Sequence, residues 1–583
     1  MNENISITGD YTNNKTSLLT KVGIGIFLTG LLLLVFSYQK SKDTNLIITS
    51  FTAMIVGIFL FLKTEKLNQG TIPLFGKTTN IPQKLGLISG FIGFSVLIIA
   101  WIGVELKPQS LFFAIATGGI SLGAILFSIG SYSGKTKGIK NNNVWANSLS
   151  SRGILAWALG ILLTIFYIQL YWFGDMLSGL TELFSPFSFV LRGKPADQWF
   201  VYGTIYSLVI LFLGIKFIFK YRHNRYQIIR TIVVIISQLV FAYFLPQILE
   251  SMNEGGGYFD RDLKNVWPLN YSFGDANRLN AMAQPTKVGP SGTFYFVWGI
   301  VLFLIITPFL TYLVGKRWYC SWVCGCGGLA ETAGDSFRQL SSKSTNSWKI
   351  ERWLIHSVMV FVLIMTIGIL WPYFSGKDYV LSIGTITKNS YYYFTIALIL
   401  LSSFGLYFLS KKHNRKVLLV GSLILLAIGL LLTIGYLTGS QKIFYLKSSS
   451  LKKVYGFFVG ASFSGIIGVG FYPMLGNRVW CRFGCPMAGY MGLFQRFKSR
   501  FRITTNGGQC ISCGNCSTYC EQGIDVRAYA QKKENIVRSS CVGCGICSAV
   551  CPRGVLKLEN GPEEGRFETN ALIITKEGVK LNN

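Results

Sequence analysis

Histidine is almost missing from this chain, whose 583 residues include only His223, His356 and His413. Haem held inside a bilayer by two histidines needs such ligands on facing helices, and His223 and His413 fall in basic loops instead. The sequence also lacks a nucleophile and base arranged as in hydrolases. These absences argue against bis-histidine haem ligation and against hydrolysis.

Acidic side chains are scarce as well. The chain has 25 Asp and Glu against 55 Lys and Arg, a formal net charge of +30, while 50% of its residues are hydrophobic. So strong a positive charge can indicate nucleic-acid binding, but here it is spread over short loops between apolar runs. We interpret it as a determinant of membrane orientation and of contact with anionic lipid, and expect no nucleic-acid partner.

Apolar runs of bilayer-spanning length, about 20 residues, are abundant. Twelve are found, at 18–37, 45–63, 85–106, 110–132, 153–173, 199–220, 230–249, 293–314, 353–374, 391–409, 417–437 and 454–474. One such run also fits a buried core helix, but a dozen do not. The sequence predicts an all-α polytopic membrane bundle of about 12 transmembrane helices.

Loop charges predict how this bundle is oriented. Alternate loops carry basic clusters, such as Lys411, Lys412, Arg415 and Lys416, whereas the long segment 250–292 holds compensating acids. One loop, with four lysines between 442 and 453, runs against this trend. We expect both termini on the cytoplasmic side of a bacterial inner membrane, a reducing compartment that suits thirteen cysteines without disulfides.

No cysteine precedes position 320, and eight of the thirteen form a doubled motif near the C-terminus. Each copy is spaced C-x2-C-x2-C-x3-C, in which three thiolates bind one iron–sulfur cubane and the fourth reaches the neighbouring cluster. We therefore predict two [4Fe-4S] clusters. The ligands of the first are Cys510, Cys513, Cys516 and Cys551, and those of the second are Cys541, Cys544, Cys547 and Cys520.

Two other interpretations of these cysteines are weaker. Structural zinc sites use two C-x2-C pairs, and disulfide frameworks belong to oxidising compartments.

The sequence predicts four units: a four-span membrane module over 1–140, an eight-span module over 141–477, an α+β ferredoxin-like domain with two [4Fe-4S] clusters over 478–565, and a C-terminal tail over 566–583.

The other five cysteines belong to an internal repeat. Residues 315–324 and 476–485 both follow G-x-R-x-x-C-x3-C, each after an apolar run with a late proline. Residues four apart share a helix face, so each pair can present two sulfurs at the membrane surface. The repeat predicts a third redox or metal centre, a cluster or copper, and the plainer alternative is buried structural cysteine. Its candidate ligands are Cys320, Cys324, Cys326, Cys481 and Cys485.

Paired C-x3-C motifs followed by a two-cluster tail resemble a family of membrane polyferredoxins. It includes the nitrous oxide reductase regulator, the membrane quinol dehydrogenase subunit of periplasmic nitrate reduction and the accessory protein for cbb-type cytochrome oxidase assembly. The stretch 520–527 is most similar to the last of these, and the motifs cover about 290–560. Gly325 and Glu521 stand where the family has proline. The resemblance implies electron transfer.

Two classes of function follow. In the first, the chain links the quinone pool or a cytoplasmic electron donor to a respiratory or periplasmic redox partner. In the second, it reduces a metal, copper above all, during assembly of a respiratory oxidase or reductase, since soft thiolates select Cu(I). Redox-coupled transport is a minor alternative, because the interiors of the predicted spans lack the Asp and Glu residues that ion pathways use.

Electrons must also cross a hydrocarbon core about 30 Å thick, which without haem calls for another bound cofactor or for a mobile quinone. His356, just inside the ninth predicted span, is a candidate to bind or deprotonate a quinol. The alternative is a histidine that merely reaches the membrane interface. The outer segment 250–292 is long enough to dock a partner or an ion, with an ordinary loop as the alternative.

Overall fold

The structure is a computed structural model. It describes scattered positions between 22 and 60 and residues 80–133, 147–251, 263–264, 266–272, 291–370, 379–381, 384–386, 388–413, 416–439, 448–560, 572–575 and 578–581. Most of the first two predicted spans and most of segment 250–292 lie outside these residues.

Long helices dominate the described chain. They are α1 (Ile81–Trp101), α2 (Gln109–Tyr132), α3 (Ile154–Trp172), α4 (Ser178–Arg192), α5 (Gln198–Lys220), α6 (Arg225–Ile236), α7 (Ser291–Val301), α8 (Gly325–Thr332), α9 (Thr345–Leu370), α10 (Lys388–His413), α11 (Lys416–Thr438), α12 (Ser448–Tyr455) and α13 (Pro486–Lys498). Three continue with altered winding: α6 through π-helical Ser237–Phe244 to Leu245–Ser251, α7 through Leu302–Ile306 to Thr307–Leu313, and α12 as π-helical Gly456–Gly470.

Eight helices in the described part of the chain are long and apolar enough to cross a membrane. They coincide with eight of the twelve predicted runs, and two further runs correspond to the shorter apolar helices Val297–Leu313 and Tyr392–Phe408. The other two runs lie at the N-terminus, where only scattered positions are described. The mostly helical architecture is therefore confirmed, while the total of twelve spans stays a prediction.

Helix α4 was not anticipated from the apolar runs. At 15 residues it is shorter than a span, and it is amphipathic: Leu183 and Phe184 are buried, whereas Val190 is exposed. It joins the end of α3 to the start of α5. Gly193, in the left-handed conformation with φ 69°, ends the helix.

Polar caps fix where several spans begin. Asn80 and Gln83 form a reciprocal capping box at the start of α1. Asp197 accepts a hydrogen bond of 2.7 Å from the backbone N–H of Phe200 at the start of α5. Such caps satisfy amide groups that a helix start leaves unpaired, which matters most where a helix enters an apolar layer.

Strands are few and short. The described residues form three antiparallel pairs: β1 (Tyr379–Leu381) with β2 (Gly384–Ile386), β3 (Phe501–Thr505) with β4 (Leu556–Asn560), and β5 (Leu572–Thr575) with β6 (Gly578–Leu581). Between β3 and β4 lie the short helices Asn515–Thr518, Val526–Gln531 and Ile546–Ala549. Ile503, Ile524 and Val555 form the core of this α+β unit together with cysteine side chains.

The α+β unit sits against one end of the bundle. Phe217, near the end of α5, shares an apolar cluster with Ile546. At the start of α6, the side-chain amide of Gln227 donates a hydrogen bond of 2.7 Å to the backbone carbonyl of Cys544. We call this end of the bundle the tail face, where the cysteine-rich domain meets the end of α5 and the start of α6.

Candidate functional site

The two cysteine repeats share one backbone conformation. The first cysteine of each lies in a five-residue π turn, Tyr319–Val323 in one copy and Trp480–Gly484 in the other. The second cysteine closes the turn: the N–H of Cys324 donates to the carbonyl of Tyr319 at 2.8 Å, and that of Cys485 to Trp480 at 2.9 Å. Cys324 and Cys485 then cap α8 and α13 in extended conformations. The expectation that each pair shares a helix face is wrong, because the π turn ends between its two cysteines.

Reciprocal hydrogen bonds from the motif arginines join the two repeats. Nη1 of Arg317 donates to the backbone carbonyl of Cys481 at 3.1 Å, and Nη1 of Arg478 donates to that of Cys320, also at 3.1 Å. The arginine of each repeat therefore binds the backbone of the first cysteine of the other repeat. The structure brings together the two motifs that are about 160 residues apart in sequence, as the repeat predicts.

The five thiols of the repeats lie in one apolar cluster. Cys320, Cys324, Cys481 and Cys485 are buried there, and Cys326 is half-buried. In the described chain, no three cysteines have sulfurs within 4.8 Å of one another. Zinc–sulfur bonds of about 2.3 Å would bring tetrahedral thiolates to about 3.8 Å, so the spacing does not fit a three- or four-thiolate site for a single ion. In a [4Fe-4S] cubane each thiolate binds a different iron, so the cysteine sulfurs are farther apart than around a single ion.

Close backbone packing holds this cluster together at Gly327. A Cβ at this position would overlap the carbonyl oxygen of Cys320 and lie 3.1 Å from Nη1 of Arg478. We expect Gly327→Ala to destabilise the folded chain by about 1–3 kcal/mol through overpacking. Denaturant unfolding in detergent would measure the loss. Gly118→Ala is the matched control, since nothing lies within 4 Å of its Cβ; equal stability of the two variants would contradict the close approach.

The first repeat lies well along α6 from the tail face. A Cβ at Gly325 would be 3.0 Å from Oε1 of Gln238, which is eleven residues beyond Gln227 on α6 and its continuation. At about 1.5 Å per residue, that position is about 16 Å from the tail face. From the predicted outer segment, Lys264 reaches the same site, and its backbone carbonyl accepts a hydrogen bond from the hydroxyl of Tyr319. The location of the repeats at the membrane surface stays a prediction.

The tail cysteines fall into two groups. One cavity is lined by Cys510, Cys513, Cys516 and Cys551, the four residues predicted to share the first cluster. Burial and then the neighbouring thiols of Cys544, Cys541, Cys520 and Cys516 raise the pKa of Cys547 well above its usual value. The first set includes Cys551 from the second run, in line with an exchange of the fourth ligand. The ligand set of the second cluster stays a prediction.

A buried charge network connects the repeats to the tail. Glu331 on α8 pairs with Arg230 at 2.7 Å, with Arg338 at 2.5 Å and with Arg478 at 2.7 Å. Burial alone would raise the pKa of Glu331, but Arg230 and Arg338 outweigh it and hold the pKa well below its usual range. The carboxylate is therefore ionised inside the protein, where losing any partner is costly.

Glu521 extends this network into the tail. It pairs with Arg338 at 2.7 Å and with Arg478 at 3.1 Å, while burial raises its pKa. Glu331, Glu521 and the thiol of Cys544 lie within 4.8 Å of one another. The arginines already occupy both carboxylates, so this trio is a junction between the two halves of the protein and not a cation site.

Sequence reasoning missed most of this network. In the sequence, Glu521 stands out only because the related family has proline at this position. The spacing of Glu331, Asp335 and Arg338 behind the first repeat was the available signal, because charged residues three and four apart share a helix face next to an apolar span. Asp335 pairs with Arg338 at 2.8 Å and with Lys220 at 2.5 Å.

His356 does not lie among the cysteines. Its side chain is exposed on α9, and its neighbour Ile355 is the residue that packs into the cysteine cluster. A quinol-binding role for His356 stays a prediction.

Two protein families match parts of the chain. A family described as a 4Fe-4S dicluster domain matches residues 502–552, and one described as a 4Fe-4S binding domain matches residues 296–344 and 455–504. Together these segments contain all thirteen cysteines. No curated protein and no solved structure matches the chain. The matches and the clustered thiols show an iron–sulfur protein with an electron-transfer role.

Proposed function

We propose that this chain is a membrane-bound carrier that passes electrons between the quinone pool or a cytoplasmic donor and a respiratory or periplasmic acceptor. Two [4Fe-4S] clusters are assigned to the tail and a third to the paired repeats, each able to accept and release one electron. The ligands assigned to the third are Cys320, Cys324, Cys481 and Cys485, with Cys326 beside them. The match to a 4Fe-4S binding domain over both repeats supports this assignment.

The observation that carries the proposal is the continuous contact between the two groups of cysteines. Nη1 of Arg478 lies 3.7 Å from Sγ of Cys481, and its Nη2 lies 2.7 Å from Glu331. Glu331 in turn lies within 4.8 Å of the thiol of Cys544. Two side chains thus bridge a thiol of the tail and a thiol of the repeats, which is the close coupling that one-electron carriers in series require.

The depth of the repeats supports passage across the membrane. A site about 16 Å from the tail face divides a hydrocarbon core of about 30 Å into two shorter steps. Lys264, on the predicted outer segment, contacts the same site. From the loop charges we place the tail face in the cytoplasm.

A reductive titration tests this function. The anaerobic full-length chain should take up about three electrons, since each cubane accepts one. The measurement is the loss of visible absorbance on adding titanium(III) citrate in steps. Uptake of no electrons, or of pairs at a single step as a dithiol–disulfide couple would require, contradicts the proposal.

Copper reduction is the second candidate, and it uses the same carriers. It differs in predicting that the repeats retain Cu(I), which needs thiolates converging on one ion. Equilibrium dialysis of the iron-loaded chain against Cu(I) separates the two functions, because only the copper function expects stoichiometric retention that Cys320→Ser abolishes.

A further inference from the structure

The lysine of the first repeat reaches the second run of tail cysteines. Lys316 is buried, and its Nζ donates a hydrogen bond of 2.5 Å to the backbone carbonyl of Ile536. A Cβ at Gly543, two residues after Cys541, would lie 3.4 Å from Cβ of Lys316. The ammonium group interacts electrostatically with the thiol of Cys541. The second repeat has Asn477 in the same place, so this contact is particular to the first repeat.

A second lysine of the bundle reaches another member of the same ligand set. Lys343, between α8 and α9, is half-buried, and its Nζ donates hydrogen bonds of 3.1 Å to the backbone carbonyls of Gln339 and Thr518. Thr518 lies two residues before Cys520, and the thiol of Cys520 interacts electrostatically with this lysine. Cys541 and Cys520 are both predicted ligands of the second tail cluster. Two cations from separate parts of the bundle therefore flank one predicted cluster.

No carboxylate neutralises these two lysines. Neither forms an ion pair in the described part of the chain, and the two nearby carboxylates, Glu331 and Glu521, are already paired with arginines. Burial lowers the pKa of Lys316, whereas the thiol of Cys541 raises it. Negative charge held at these cysteines therefore favours the ammonium form, and the charge of both lysines is available to the group that the cysteines bind.

The cysteines of the first tail cluster lie in a different environment. Cys513 and Ile511, in the cavity of that cluster, are exposed, and of the two arginines in its wall Arg553 is exposed and Arg527 half-buried. Solvent reaches this site and screens the exposed charges. None of the four predicted ligands of the second cluster is exposed. The second cluster depends more on charges of the protein for stabilisation of an added electron.

We propose that Lys316 and Lys343 raise the reduction potential of the second tail cluster, so that it accepts electrons from the exposed first cluster and passes them to the repeats. The potential of a cubane follows the net charge and the exposure around it, and a cation acts most strongly where water is scarce. Each transfer oxidises the first cluster by one electron and reduces the second by one, with no bond or proton exchanged. The proposal rests on the electron-transfer function above and assigns its direction, from the tail into the bundle.

The test removes each charge and leaves the cysteines in place. Lys316→Met and Lys343→Met each replace an ammonium group by a flexible apolar side chain, and Lys343→Arg keeps the charge. Lys532→Met is the matched control, because it is the same change at an exposed position of the tail. Midpoint potentials of the anaerobic full-length chain are measured by stepwise reduction at controlled potential, followed by absorbance and electron paramagnetic resonance. Iron analysis of every variant accompanies the titration.

We expect each methionine variant at 316 or 343 to raise the ratio of oxidised to reduced cluster at least about tenfold in one step, a fall of about 59 mV for one electron. Both variants should move the same step, which is not the lowest of the unaltered chain. Lys343→Arg and Lys532→Met should leave that step in place, and all variants should keep about twelve iron atoms.

Three results overturn the proposal. The first is unchanged potentials in both methionine variants. The second is movement of two different steps, or of the lowest step. The third is loss of iron from both variants, because the lysines would then hold the fold and not the potential. An unaltered chain without any reducible cluster refutes the electron-transfer function instead.

Discussion

Cys320→Ser should remove about four of about twelve iron atoms from the chain, and Cys481→Ser, alone or combined with it, should remove the same four. The reason is the reciprocal bonding of Arg317 and Arg478, which ties the first cysteine of each repeat to the other repeat. One shared centre fails as a unit when either half is lost. Iron analysis of anaerobically purified protein measures this directly.

The tail provides the internal reference for that experiment. Its eight cysteines lie within 510–551, so about eight iron atoms should persist in every repeat variant. Cys326→Ser is the matched control, because Cys326 lies outside the two C-x3-C pairs and is only half-buried. If the double variant loses the sum of the iron lost by Cys320→Ser and by Cys481→Ser, or if neither single variant loses iron, the cysteines of the repeats are buried structural residues.

Glu331→Gln should destabilise the docked tail by about 3–5 kcal/mol. The substitution keeps the shape of the side chain but removes the negative charge that Arg230, Arg338 and Arg478 share, leaving buried guanidinium groups uncompensated. Trypsin should cleave a loosened tail faster at the exposed turn formed by Lys532 and Lys533. The rate of that cleavage is the measurement.

An exposed ion pair supplies the control for this variant. Glu105 pairs with Lys107 at 3.0 Å, with side chains 64% and 75% exposed. Surface pairs contribute little to stability, so Glu105→Gln should leave the cleavage rate unchanged. Should Glu331→Gln behave in the same way, the network would not hold the tail to the bundle.

Sequence reasoning identified what depends on local order. The ten apolar runs that lie in the described chain each correspond to an apolar helix, because hydrophobic length is a property of consecutive residues. The cysteine motifs could be recognised for the same reason, and the family matches cover every cysteine. The repeat also predicted that two distant segments meet, since a duplicated motif implies a shared role.

What sequence reasoning missed depends on long-range geometry. No pattern of consecutive residues shows how deep Gly325 lies or that a π turn separates Cys320 from Cys324. The full charge network of Glu331 was equally hidden, because two of its three arginine partners, Arg230 and Arg478, come from distant parts of the chain.

The most direct test of the central claim is metal analysis of the anaerobically purified full-length chain, combined with electron paramagnetic resonance after reduction. The account predicts about twelve iron atoms and matching acid-labile sulfide per chain, with signals of reduced [4Fe-4S] clusters that appear on reduction. Tightly bound zinc in place of iron, with no paramagnetic signal on reduction, would contradict it and make the thirteen cysteines structural.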